Sequence, residues 1–210
     1  MYETLPLDDP LWRDLKASPG GTGGFAAELL RQVYSDVDSE DSLTELQEQI
    51  CHQNSFGEVA YAVVPHLVEI AKRSSHDRRV QCLVSIAYTL ASALEYPDVV
   101  APSPPRLRDA YERSKLEALQ LATAELCSPL KDPAESAYLL QLVAAVQGHA
   151  TIAKIILSWP TYFCPHCGED ICSEADEEYD ASAGAHRGPQ SPSGEEQRSV
   201  TGHRLWWRWW

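Results

Sequence analysis

Residues 56–94 constrain the fold more than any other part of the chain, because they read as two helices joined by a short polar turn. The first places Phe56, Ala60, Val63, Val64, Leu67, Val68 and Ala71 on one face, with Glu58, His66, Glu69 and Arg73 opposite. The second places Val80, Leu83, Val84, Ala87, Leu90, Ala91 and Leu94 on one face, with Arg78, Arg79, Gln81, Ser85 and Ser92 opposite. Both follow the i, i+3, i+4, i+7 spacing of a helix that buries one stripe. A paired-helix unit of this kind predicts an all-α architecture built by stacking, and hence a surface suited to binding.

The flanking sequence extends the helical pattern. Pro19-Gly20-Gly21-Thr22-Gly23-Gly24 reads as a hinge after a Leu11-Trp12 anchor; no Gly-Lys-Ser/Thr follows, so it is not a phosphate loop. A short helix is expected over 25–34. Ser42 with Glu45 reads as a capping box opening a helix to about residue 53, and Ser55 with Glu58 repeats the device. Pro65 falls inside the next helix and should bend it, Asp77 caps the one after, and Pro97 closes that one. Beyond the stiff Ala101-Pro102-Ser103-Pro104-Pro105 connector, helices are expected over about 107–126, from Asp132-Pro133 through an apolar stretch to Gly148, and around Ile152, Ile155, Ile156 and Trp159. No strand is expected before residue 160. After Ser173 the composition turns to Asp, Glu, Gly, Ser and Pro, which cannot bury enough surface to offset its ordering entropy, so a disordered acidic C-terminal tail is expected. The expected organisation is an N-terminal extension (1–24), a helical domain (25–160), a Cys-containing knuckle (161–172) and the tail (173–210).

Net charge is −14 and uneven. Residues 1–60 carry 12 acids against 3 bases, while residues 61–163 carry 10 of each. That balance opposes a nucleic-acid backbone, which rewards clustered Lys and Arg, and suits a basic protein partner. The densest acids, Asp36, Asp38, Glu40, Asp41, Glu45 and Glu48, with His52 at the following corner, form the candidate protein-binding patch. The start of that run has the alternation of a calcium loop, but its sixth position is Asp41 rather than Gly and its twelfth is Gln47 rather than Glu. No apolar run is long enough to cross a bilayer and the N-terminus has no signal-peptide pattern, so a cytoplasmic, membrane-free protein is expected.

Cys164-Pro165-His166-Cys167-Gly168 has the shape of half a zinc knuckle, with Cys172 as a third candidate metal ligand and His186 or His203 further on. Because no second Cys-x-x-Cys exists, no cofactor is expected, and structural zinc is the alternative. Cys51, Cys82 and Cys127 read as small core residues, and the cysteine usage suits a reducing compartment. His52, His66 and His76 lie close in sequence without a His-Glu-x-x-His pattern or a nucleophile with its own orienting group, so no catalytic residue is assigned. His66 is expected on the polar face of its helix. The Leu205-Trp206-Trp207-Arg208-Trp209-Trp210 end could anchor in a groove or a membrane interface, and no residue around it specifies either.

Cys51-His52-Gln53-Asn54-Ser55-Phe56 followed by Ala60-Tyr61-Ala62-Val63-Val64-Pro65-His66-Leu67-Val68-Glu69-Ile70-Ala71 resembles a block of bacterial HEAT-repeat-type proteins, in which a CHQG-like corner precedes an AVPHLVxIA-like helix. Asn54 stands where that pattern has Gly, and Asn tolerates a left-handed conformation. The resemblance spans roughly residues 42–160 and is specific at 51–71. It implies a HEAT-like α-α solenoid and says little about activity. Residues 144–157 resemble the middle of an ankyrin repeat, but the Thr-Pro-Leu-His opening and a second copy about 33 residues away are both missing. The expected function is a non-catalytic scaffold binding another protein, such as an immunity or adaptor protein against a basic partner. The alternatives are a HEAT-like DNA-acting enzyme, which requires Arg73, Arg78, Arg79, Arg106 and Arg108 to converge, and a zinc-binding regulatory protein.

Overall fold

The computed structural model describes residues 3–17, 22–35, 40–52, 55–95, 97, 100, 102–128 and 133–157. These form a 3-10 turn (Pro10–Arg13), then α1 (Gly23–Ser35), α2 (Glu40–Ile50), a two-residue hairpin of β1 (Cys51–His52) and β2 (Ser55–Phe56), then α3 (Ala60–Arg73), α4 (His76–Glu95), α5 (Pro105–Leu126), α6 (Pro133–Val146) and α7 (Ala150–Leu157). Among the described residues the architecture is all-helical apart from that hairpin. The expected knuckle and tail, and Trp159, lie outside the described residues.

Neighbouring helices pair α1 with α2, α3 with α4 and α5 with α6; α1, α3 and α5 also pack in succession, as do α2, α4 and α6. The last helix, α7, packs against α6 and α4. The amphipathic spacing explains most of this arrangement. In α3 the apolar set Ala60, Val63, Val64, Leu67, Val68 and Ala71 is fully buried, and Lys72 and Arg73 fall in its last turn, where cations suit the helix C-terminus. Pro65 is buried within α3, which continues to Arg73. Gly148 ends α6 at φ 76°, with His149 N donating to Ala144 O (2.8 Å) and Gly148 N to Ala145 O (3.1 Å), the paired closure that a left-handed glycine permits.

Both expected capping boxes do other work. Ser42 lies in the third position of α2, which starts at Glu40, and its hydroxyl donates to Gln32 Oε1 of α1. Ser55 and Phe56 are not helical. They pair antiparallel with His52 and Cys51, so the corner contains the strand pair that the sequence reading excluded. Glu58 there accepts a hydrogen bond from Lys16 N (3.2 Å), and Val59 N donates to Lys16 O (3.1 Å). The long-range pairing with the N-terminal segment delays the start of α3 to Ala60. Phe56 points into a ring cluster with Tyr61 and Tyr111, at centroid separations of 5.1 and 6.5 Å.

The N-terminal segment belongs to the same core. Leu5, Trp12, Leu15 and Ala17 are buried with the α1 and α3 side chains. Asp9 Oδ1 accepts from Leu11 N (2.9 Å), capping the 3-10 turn, and the Trp12 indole donates to Pro6 O (2.9 Å). The Leu11 N–H, with help from Arg106, holds the Asp9 carboxyl below the usual carboxylate range. Gly23 is not part of a free hinge: a Cβ there would collide with Trp12 O, so only glycine allows this approach.

The centre of the packing is α4. Arg78, Ser85 and Ser92, expected opposite its apolar stripe and therefore in water, are all buried, as are Cys82 and Thr89 between them. The reason is placement: α4 is covered by α2, α3, α5, α6 and α7 together, so it has no solvated face of the width a surface helix keeps. At the other extreme, Ile152 and Ile155 of α7 remain exposed, while Ala153 is buried. Gln141, the polar residue within the apolar Tyr138–Val146 part of α6, is fully buried and donates from Nε2 to Ala153 O (3.1 Å), tying α6 to α7. Cys127 is exposed rather than in the core.

Candidate functional site

The acidic patch maps to the start and outer side of α2. Glu40 and Asp41 are its first two residues, and Glu45 and Glu48 are exposed three residues apart on one face. The opposite face buries Leu43, Leu46 and Ile50 completely, which fixes the orientation of the helix. Asp36 and Asp38 lie outside the described residues. His52 occupies β1, two residues past the end of α2, so the corner follows directly on the patch. The candidate ligands Cys164, Cys167 and Cys172 lie outside the described residues as well. Among the described residues no group of three or more His, Cys, Asp or Glu side chains is placed to hold a metal ion.

Of the five arginines that the DNA reading needs together, three are engaged by separate carboxylates. Arg106 pairs with Asp9 (2.6 Å), Arg73 reaches Glu69 (3.4 Å), and Arg79 pairs with Glu125 (2.6 Å). Arg78 is buried and Arg108 is exposed on α5. Lys72 adds a link between α3 and α5, with its ammonium 2.8 Å from Glu69 and 2.6 Å from Glu117. Glu117 and then Glu69 raise the Lys72 pKa.

Two polar constellations were not found by sequence spacing. At the junction of α3, α4 and α5, Glu125 is 5% exposed and accepts from Arg79 Nη1, with His76 Nδ1 2.7 Å from its other oxygen. Arg79 also donates from Nε to Ala71 O and from Nη2 to Ser74 O, each at 3.0 Å, which satisfies carbonyls that the end of α3 leaves without helical partners. The Nε2 atom of His76 is buried without a hydrogen-bond partner, so no hydroxyl or thiol is paired with this imidazole.

The second constellation surrounds His66, which is 3% exposed, not on a polar face. Leu5 O lies 2.8 Å from Nε2 and Tyr34 Oη lies 3.0 Å from Nδ1, with the Trp12 ring 6.0 Å away. A carbonyl can only accept, so Nε2 carries the proton and Nδ1 accepts from the Tyr34 hydroxyl. Burial pushes that hydroxyl up to about 12 and keeps it a donor. The neutral ring is therefore satisfied at both nitrogens. Burial lowers its pKa, opposed by the Leu5 carbonyl and by Glu69. A base depressed in this way confers stability that is complete above its unfolded value of 6.5 and is lost as the pH falls through the folded value. Urea midpoints should therefore drop between pH 7.5 and 5. His66→Gln should flatten that slope while costing stability at pH 7.5; an unchanged slope would show that His66 is not the titrating group.

The signal for both constellations is a charged or ionisable residue inside an otherwise apolar helix, which marks a site of burial only once its distant partners are known. Comparison of the chain with protein-family models, with curated proteins and with solved structures finds no match in any of the three.

Proposed function

We propose that the chain is a non-catalytic helical-repeat scaffold, a HEAT-like α-solenoid, that binds a basic partner protein through the acidic outer side of α2 and the corner that follows it. The observation that carries this reading is the orientation of α2: its apolar face is consumed by packing, which leaves Glu45 and Glu48 in water beside the Glu40-Asp41 start. The successive packing of alternate helices supports the repeat reading, because in such arrays each unit contacts mainly its neighbours. An acidic surface would speed association with a basic partner and select against acidic ones. An adaptor, or an immunity protein neutralising a basic toxin, fits that chemistry. The dispersal of Arg73, Arg79 and Arg106 among separate carboxylates supports a protein partner over a nucleic acid. Free Cys51, Cys82 and Cys127 support placement in the reducing cytoplasm, and none of the described helices is long and apolar enough to cross a membrane.

A pull-down at about 50 mM and about 500 mM salt tests the reading, since screening shortens the reach of surface charge to a few ångströms at the higher value. Wild type should retain a basic protein at low salt and lose at least tenfold of it at high salt. A variant with Asp36, Asp38 and Asp41→Asn and Glu40, Glu45 and Glu48→Gln should lose it at both. Capture that ignores salt and survives these substitutions overturns the acidic-patch reading.

A further inference from the structure

We propose that the surface which α1, α3 and α5 present to the N-terminal segment is a peptide-recognition site, held by residues 5–15 as a resident occupant. Its ligand is a segment of another protein that carries an aspartate three residues before a tryptophan. Each of the three helices offers one donor side chain to the occupant. From α1, Arg31 Nη2 donates to Leu7 O (2.6 Å), and from α3, His66 Nε2 donates to Leu5 O (2.8 Å). From α5, both terminal nitrogens of Arg106 reach the Asp9 carboxylate, at 3.3 and 2.6 Å. Such a fork reads a carboxylate by geometry as well as by charge. The two carbonyl contacts read backbone, which any sequence supplies, so selectivity falls to Asp9 and to the buried Leu5, Trp12 and Leu15. A buried indole ringed by the exposed Arg31 and Arg106 has the anatomy of a protein–protein contact, with an apolar anchor inside a polar rim.

The occupant is also a separable unit. Asp9 N donates to Pro6 O, Leu11 N to Asp9 Oδ1 and Trp12 Nε1 to Pro6 O, each at 2.9 Å. Its shape is therefore set by bonds within the segment, which lowers the ordering cost of docking. Among the described residues no main-chain to main-chain hydrogen bond joins residues 5–14 to a helix; the first comes at Leu15 O, which accepts from Gly23 N (2.8 Å). Up to Asp14 the segment is gripped by side chains and apolar contact, as a docked peptide is. Attachment to the same chain holds it at an effective concentration on the order of millimolar. An identical segment on a dilute second copy loses that competition, so the displacing segment belongs to a different protein and binds more tightly.

The probe is a fluorescein-labelled peptide of residues 3–17, added to the full chain with a protease recognition sequence inserted between Pro19 and Gly20. After cutting, the two pieces should still co-elute in gel filtration, and the labelled peptide should replace the resident piece at one per chain. The uncut chain should bind the peptide at least about tenfold more weakly, because its own segment competes from a tether. Against the cut chain, a Trp12→Ala peptide should bind at least about thirtyfold more weakly. An Asp9→Asn peptide should lose about two- to fivefold, since the Arg106 pair is exposed. On a cut Arg106→Gln chain that last difference should vanish, which general damage to the fold would not produce. A cut chain that unfolds and is not restored by the peptide, or that never exchanges its segment, overturns the proposal. Variant peptides that bind like wild type, or equal binding to cut and uncut chains, overturn it too. A dimer of the uncut chain that grows with concentration makes a second copy the donor and overturns the assignment to a different protein. None of these readouts involves the α2 acids, so they are separable from the scaffold reading.

Discussion

Replacing Trp12 with alanine should lower the stability of the protein by about 3–5 kcal/mol, the range for removing a large aromatic side chain from a packed interior. Trp12 is 2% exposed, its indole N–H is paired with Pro6 O, and its ring faces His66. The substitution removes a side chain that spans from the N-terminal segment to α3, and it leaves Pro6 O and the adjoining face of His66 without that neighbour. The loss should appear as a lower urea midpoint with a nearly unchanged m value, and the bonds around Leu5 and Leu7 should become much more sensitive to limited proteolysis. A loss under about 1 kcal/mol would mean that the segment adds little to the core, contrary to the burial of Leu5, Leu15 and Ala17.

The second large effect concerns Glu125. Glu125→Ala should cost about 2–4 kcal/mol, because it strips the acceptor from Arg79 and the partner from His76 at a site almost closed to water. The figure sits below the upper end for a buried pair because the Arg79 side chain is 30% exposed and can regain hydration. Glu125→Gln should lose less, since it keeps the shape and one acceptor. Glu117→Gln provides the contrast: it breaks the Lys72 pair at the exposed α3–α5 surface and should change stability by under about 1 kcal/mol. Equal losses for the Glu125 and Glu117 variants in parallel urea titrations would refute the distinction. Arg79 connects this prediction to the fold, because the same side chain that holds Glu125 also closes the end of α3.

The helices were legible where a single amphipathic stripe decides the outcome. The apolar residues of α3, the end of α6 at Gly148 and the exposed side of α2 all follow from spacing alone. Three features escaped that logic for a common reason. His66, Arg78 and Ser92 lie opposite an apolar stripe, which means water for a helix covered on one side and burial for a helix covered on several. The pattern cannot report how many neighbours a helix has. The β1–β2 pair is too short to show alternation, and the bonds of the following Glu58 and Val59 to Lys16 are non-local, so Ser55 and Glu58 gave a helix-start pattern that tertiary contacts overruled. Conversely, Ile152 and Ile155 make a good stripe on α7 and remain exposed, since periodicity states what a helix could bury and not whether a partner is there. For the candidate site, Glu45 and Glu48 were readable as exposed acids, while the partners of Glu125 and His66 were not readable at all.

The contacts of the N-terminal segment also bear on the order of assembly. Leu5 meets a ring 61 residues further along the chain, and Asp9 meets Arg106 at a separation of 97. During synthesis the indole that anchors this segment has no resting place until α3 has emerged, and its carboxylate clasp has none until α5 begins. Closing such long loops is slow compared with winding adjacent helices together. Leu5, Asp9 and Trp12, made well before α3 and α5, are therefore among the last of these residues to reach their native places.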